Sequence, residues 1–360
     1  ALVAEYIDGV GQMDRLQRDI ERIYADPAIT DSQAEAAPLL AELTALRASQ
    51  EARRPAAEWI LERQVAAVLA DEGLTTLGKV WPPVRFQFTE SPNYLIVSPR
   101  DRILVERGVY LDPTLPVEDM ERIEAAVQAD LDRSALVDGT GGFSSYPTMV
   151  VAYANLEWVI DTVAHEWTHT YLMFRPLGWN YYDSRAMRTL NETVASIIGG
   201  EIAQRVMERY YPDRLDPADW PRPLSMRRNW LHHETAEPDF QFGEFMRKTR
   251  LEVDRLLAAG QVEQAEAYMD AQREVLVERG YTIRKLNQAY FAFHGSYAVG
   301  PSSTDPIGAK LRALLQRTAS LADFLQTVAR FDEPADLDAA LAWHATAPDG
   351  SITRQERVTQ

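Results

Sequence analysis

Val163-Ala164-His165-Glu166-Trp167-Thr168-His169-Thr170 sets two histidines four residues apart, with a glutamate beside the first. On an α-helix that interval brings both imidazoles to one face. It is the spacing for a Zn²⁺ ion held by two histidines, with a carboxylate poised over its bound water. The run from Trp158 to Ala164 enters the motif at helical spacing. Val163, Trp167 and Phe174 then form an apolar face distinct from that of His165 and His169, so a helix is expected over 157–174. The plain alternative is two histidines on a helix surface with no metal at all.

A catalytic zinc needs a third protein ligand and an open fourth position. Thr189-Leu190-Asn191-Glu192-Thr193-Val194-Ala195 supplies a candidate in Glu192, on a second expected helix over 188–210. The 22 residues between His169 and Glu192 suit a helix end, a loop and the start of a helix packed on the first. Arg175-Pro176-Leu177-Gly178-Trp179-Asn180 carries the breakers for that loop. His165, His169 and Glu192 are thus the candidate ligands, and Glu166 the candidate general base.

The two motifs together resemble the gluzincin metallopeptidases, the group that contains thermolysin and aminopeptidase N. Leu190-Asn191-Glu192 matches the family's glutamate ligand with its preceding asparagine, and Ala195 matches the aminopeptidase version. The likeness is specific over residues 160–200. It implies a zincin-like core, a Zn²⁺ cofactor, a peptide or protein substrate, and a Tyr or His downstream of the third ligand that steadies the developing oxyanion. Tyr290, His294 and Tyr297, spaced four and three apart, are the candidates for that last role. Aromatic residues at this spacing equally well pack in a core.

Gly141-Gly142-Phe143-Ser144 ahead of Met149-Val150 resembles the family's substrate-binding edge strand, which makes Gly142 and Phe143 candidate substrate contacts; an ordinary glycine loop is the alternative. Arg284 is a candidate for a substrate carboxylate because it precedes the aromatic segment. Two departures stand out. Ser196 replaces the aspartate that in thermolysin-like enzymes orients the first histidine, and the Gly-x-Met-Glu-Asn exopeptidase motif is missing. The motif fixes a metal and a base, not a substrate. A zinc hydrolase of a non-peptide amide and a non-catalytic metal-binding helical scaffold therefore stay open.

Around the motif, the first 70 residues are rich in Ala, Leu, Glu, Arg and Gln at helical spacing, punctuated by Pro27, Pro38 and Pro55. Val84–Thr89 alternates as a half-buried strand does, and Tyr94–Val97, Ile103–Val105 and Thr148–Tyr153 are further strand candidates. Pro116 with the acids after it announces a helix to about Asp132. Beyond residue 210, helices are expected over 240–258, 261–279, 282–297, 306–317, 320–330 and 334–345. The expected class is α+β and predominantly helical: a small antiparallel or mixed sheet on the active-site helix, flanked by helical segments. The division is 1–80 as an N-terminal helical segment, 81–215 as the zincin-like core and 216–360 as a helical domain closing the cleft. Gly199-Gly200 inside a helix implies close packing against another helix, and the adjacent His232-His233 reads as a surface or capping pair rather than a second metal site.

A net charge of −17 repels a phosphate backbone, so nucleic acid is excluded as a partner. With no cysteine, disulfides and thiolate ligands are excluded, and a metal falls to His, Asp and Glu. No apolar run reaches the length of a membrane span, so membrane association is expected only through a segment outside this sequence. Residue 1 is Ala rather than Met, which points to a trimmed start. The lean toward an exported or anchored protein comes from the resemblance alone.

Overall fold

The computed structural model describes residues 1–215, 240–300 and 303–346. His232-His233 lies outside the described residues. Two long helices, α1 (Leu2–Ala25) and α2 (Ser32–Asp71), form an antiparallel hairpin. Only Pro27 falls between them; Pro38 and Pro55 lie inside the 40-residue α2 and do not end it. A proline costs a helix interior about 3 kcal/mol. Here burial of Leu43, Ala57, Leu61, Val65 and Leu69 along one side of the helix outweighs that cost. Where α1 and α2 cross, Gln50 reaches over Gly9 and donates to the Tyr6 carbonyl at 2.6 Å.

The strands form two small sheets where one was expected. In the first, β1 (Phe86–Phe88) pairs in parallel with β6 (Thr148–Val150), and β5 (Gly142–Phe143) pairs antiparallel with β6 and forms an edge. The second is wholly antiparallel, with β2 (Asn93–Pro99) between β3 (Arg107–Leu111) and β4 (Arg133–Gly139). The expected strand at Ile103–Val105 is not formed; the pairing starts at Arg107 instead. Alternation sorts the second sheet's faces. Leu95, Val97, Ala135 and Val137 pack on α3 (Val117–Leu131), while Ile96 and Leu136 face the C-terminal helices. The chain crosses from one sheet to the other at Thr140-Gly141, inside the glycine-rich loop.

Everything centres on α4 (Leu156–Leu172) and α6 (Arg185–Tyr210), joined through the short α5 (Pro176–Trp179). Asn155 caps α4 by accepting from the Trp158 N–H, and Ser184 caps α6 through Met187. Trp167 anchors α4 by donating to the Pro82 carbonyl at 2.7 Å. Phe174, expected on that apolar face, lies past the helix end and is exposed. Buried threonines on α4 return their hydroxyls to carbonyls one turn back, as Thr162 does to Trp158 and Thr168 to Ala164. Helix α6 approaches closest at Gly199, where a Cβ would meet Asp161 Oδ1 at 2.2 Å and the Asp161 carbonyl at 2.8 Å. That close approach is the reason for glycine inside the helix.

Helices α7 (Phe242–Ala258), α8 (Val262–Glu278) and α9 (Gln288–His294) carry the core behind the second sheet. The helix expected over 282–297 is thus only seven residues long and stops before Tyr297. Then α10 (Ile307–Arg317), α11 (Leu321–Val328) and α12 (Ala335–Thr346) follow. One apolar core takes residues from α1, α2, α4, α6 and the 299–337 stretch together, so it crosses residues 80 and 216 without a break. No described helix is long and apolar enough to cross a membrane.

Candidate metal centre

Helix α4 is buried on nearly every side, yet it places two imidazoles and two carboxyl-bearing neighbours at one cleft. His165 Nε2 and His169 Nε2 stand 3.1 Å apart. From α6, Glu192 Oε2 comes to 3.6 Å from the first and 3.5 Å from the second. These atoms all lie within 4.8 Å of one another, and the group could hold a metal ion.

Three observations bear on that fit. Glu192 Oε2 is buried with no hydrogen-bond donor, while Oε1 accepts from the Tyr181 hydroxyl at 2.5 Å. A buried carboxylate oxygen with no donor is costly unless a cation completes it. His169 Nδ1 lies 2.7 Å from Asn191 Oδ1, and Asn191 Nδ2 donates to the Leu177 carbonyl at 3.1 Å. That chain orients the amide, puts the proton on His169 Nδ1, and leaves the Nε2 lone pair for a ligand. Finally, the donor set is nitrogen and oxygen only, which suits zinc and its neighbours.

Electrostatics support the same picture. Burial opposes ionisation of Glu192, but the imidazoles of His169 and His165 hold it well below the ordinary carboxylate range. Burial likewise opposes charge on His169, yet Glu192, Glu166 and the Asn191 bond together hold it above its ordinary value. Burial and the adjacent Glu192 push the Tyr181 hydroxyl well up, so it stays a donor.

Glu166 sits with Oε1 at 4.0 Å from His165 Nε2. Ser144 donates to its other oxygen, Oε2. Gly142 lies against this carboxylate: a Cβ there would come to 2.9 Å from Glu166 Cγ. The edge strand β5 therefore runs directly along the cleft, with Phe143 in its wall. The cleft itself measures about 510 Å³.

Of the downstream candidates, Tyr290, His294 and Tyr297 all line this cleft. Tyr297 is nearest the histidines, its ring 6.1 Å from that of His165. His294 is engaged by Asp138, Nε2 to Oδ2 at 3.1 Å, and its ring lies tilted against that of Tyr290, centroids 4.2 Å apart. Arg284 does not reach the cleft. Its guanidinium is taken by buried Glu124, at 2.7 and 2.6 Å, and by the Val137 carbonyl. Ser196 turns back onto the Glu192 carbonyl at 2.7 Å. The carboxylate that packs beside His165 is Asp161, one turn earlier on α4.

Tyr181, Ser144, Arg188 and Asp138 are site residues that sequence reasoning missed. Tyr181 lies just past α5, between the expected loop ending at Asn180 and the helix expected from 188. Its one available signal was an aromatic cluster, Tyr181-Tyr182, between two motif helices. Comparison with protein-family models, with curated proteins and with solved structures yields no match for this chain.

Proposed function

We propose that this chain is a zinc metallopeptidase of gluzincin type. The observation that carries the reading is the convergence of His165 Nε2, His169 Nε2 and the donorless Glu192 Oε2, with Glu166 alongside. A bound Zn²⁺ supplies a Lewis acid for the scissile carbonyl and acidifies water. His165, His169 and Glu192 would hold it.

The chain's own residues divide the remaining work. Glu166 takes the proton of the attacking water and passes it to the leaving amine. Ser144 fixes one oxygen of that carboxylate, which leaves the other for proton transfer. Tyr181 and Asn191 hold Glu192 and His169 in place. Tyr297, which lines the cleft with His294 and Tyr290, would donate to the charge that develops on the carbonyl oxygen. The Gly142–Phe143 edge offers main-chain pairing to an extended peptide.

The test is a peptide-library digest read by mass spectrometry, wild type against Glu166→Gln. Cleavage by wild type alone supports the reading. Equal cleavage by both, or cleavage of non-peptide amides only, contradicts it.

A further inference from the structure

The cleft holds a charged group that the chemistry above does not use. Arg188 stands on α6 four residues before Glu192, so the two leave the same helix face one turn apart. It lines the cleft with Tyr94, Tyr181 and Tyr297. Its Nε is buried without a hydrogen-bond partner. Among the described residues its guanidinium forms neither a hydrogen bond nor an ion pair. The Tyr181 ring centroid lies 5.6 Å from its guanidinium carbon, and Glu192 acts on it through charge alone.

Several other arginines of the chain are held by carboxylates. Arg284 is clasped by Glu124, Arg100 by Glu266 and Asp132, and even the deeply buried Arg250 pairs with Asp254. A guanidinium carries five N–H donors in one plane. Here the Nε–H is buried with no acceptor, which is costly unless a ligand completes it, and the rest of the fork faces the cleft. The shape of the fork selects a planar carboxylate, which it grips with two parallel bonds. One positive charge matches one negative charge. A phosphate dianion is disfavoured by Glu166 and Glu192 on the same cleft and by a chain of net charge −17.

We propose that Arg188 is the receptor for a carboxylate of the substrate, set beside the bond to be cut. The position of that bond rests on the metallopeptidase reading; the recognition of the carboxylate does not. Two sources share this chemistry, the C-terminal carboxylate of a peptide and an Asp or Glu side chain.

Binding separates the two issues. Zinc-loaded Glu166→Gln protein, in which the reading above slows turnover enough to measure binding, is titrated calorimetrically with three sets of N-acetylated tripeptides. One set has free C-termini, one is amidated and neutral, and one is amidated with a single Asp or Glu. Carboxylate peptides should bind on the order of 10- to 100-fold more tightly than neutral ones. Adding Arg188→Gln should bring that ratio close to one with zinc content unchanged. Arg188→Lys, which keeps charge but loses the fork, should retain only part of it and serves if the Gln variant does not fold.

Preference for the first set assigns the C-terminal carboxylate, and preference for the third a side chain. Equal binding of charged and neutral peptides, no binding of any, or a preference that survives Arg188→Gln through the metal itself would overturn the proposal. Arg188-dependent binding with no cleavage of these peptides by wild type would instead sink the peptidase reading and leave the carboxylate receptor standing.

Discussion

Two buried glutamates, Glu124 on α3 and Glu192 on α6, meet opposite fates. Glu124 is completely covered and completely satisfied: Arg284 donates twice, Lys285 closes on it at 2.6 Å, and the Val137 N–H adds a fourth bond at 2.6 Å. Burial opposes its charge, but Arg284, Lys285 and that N–H outweigh the burial and lower its pKa. Glu192 is nearly as buried, yet one of its oxygens faces two imidazole nitrogens and no donor. Burial and a depressed pKa are common to both. What separates a structural carboxylate from a candidate ligand is whether the protein has already supplied its partners. The arginines repeat the lesson, Arg284 being spent on Glu124 while Arg188 points at open cleft.

The largest effect expected on this contrast is catalytic. Glu166→Gln should lower peptide hydrolysis by about 10²- to 10⁴-fold while zinc content stays at the wild-type value, as steady-state kinetics beside elemental analysis would show. On the other side of the comparison, Glu124→Ala removes the buried carboxylate that half-buried Arg284 and Lys285 share. It should cost about 3–5 kcal/mol of stability in urea unfolding, as breaking buried pairs does. Zinc stoichiometry in whatever fraction remains folded should not move. If Glu124→Ala instead removed zinc and spared stability, the division between the two glutamates would fail.

Asn191→Leu tests the support under His169. It keeps the volume but cannot accept from Nδ1, so zinc affinity should fall about 10- to 100-fold, as for other outer-shell partners. Competition with a fluorescent chelator measures it.

The smallest effect is in pH. His169 has a folded pKa above its ordinary value, so its proton stabilises the metal-free fold below that ordinary value and stops doing so as pH rises through the raised one. Glu192 is depressed, so its contribution is present above the ordinary carboxylate range and is lost as pH falls through the lowered value. The metal-free pair is therefore best held in the window between, and zinc must displace the proton to bind. Zinc affinity should weaken by up to about tenfold per pH unit on acidification below the raised His169 value. In Glu192→Gln the onset should move to lower pH.

The sequence carried the local half of this arrangement. His165, Glu166 and His169 were legible because helical periodicity alone puts them on one face, and Glu192 because its own helix had to pack on theirs. Gly199 was legible for the same reason. The unread half depends on where distant chain returns. Nothing near Arg284 announces that Glu124, 160 residues away, will claim it. Tyr181 reaches Glu192 only because α5 turns the chain back, and Ser144 reaches Glu166 only through the edge position of β5. Strand β4 was hidden because Arg133-Ser134 opens it and Asp138-Gly139 ends it, so its apolar part is just Ala135-Leu136-Val137. Pro38 and Pro55 misled for the converse reason: tertiary burial of α2 overrode a local breaker.

The central claim is that Glu192 completes a metal centre that Glu124, also buried, cannot form. Elemental analysis of purified wild type, His169→Ala, Glu192→Ala and Glu124→Gln tests it most directly. The account predicts about one zinc per chain in wild type and in Glu124→Gln, as expected of a three-ligand site, and none in the other two. No zinc in wild type after reconstitution, or zinc retained in Glu192→Ala, would contradict it.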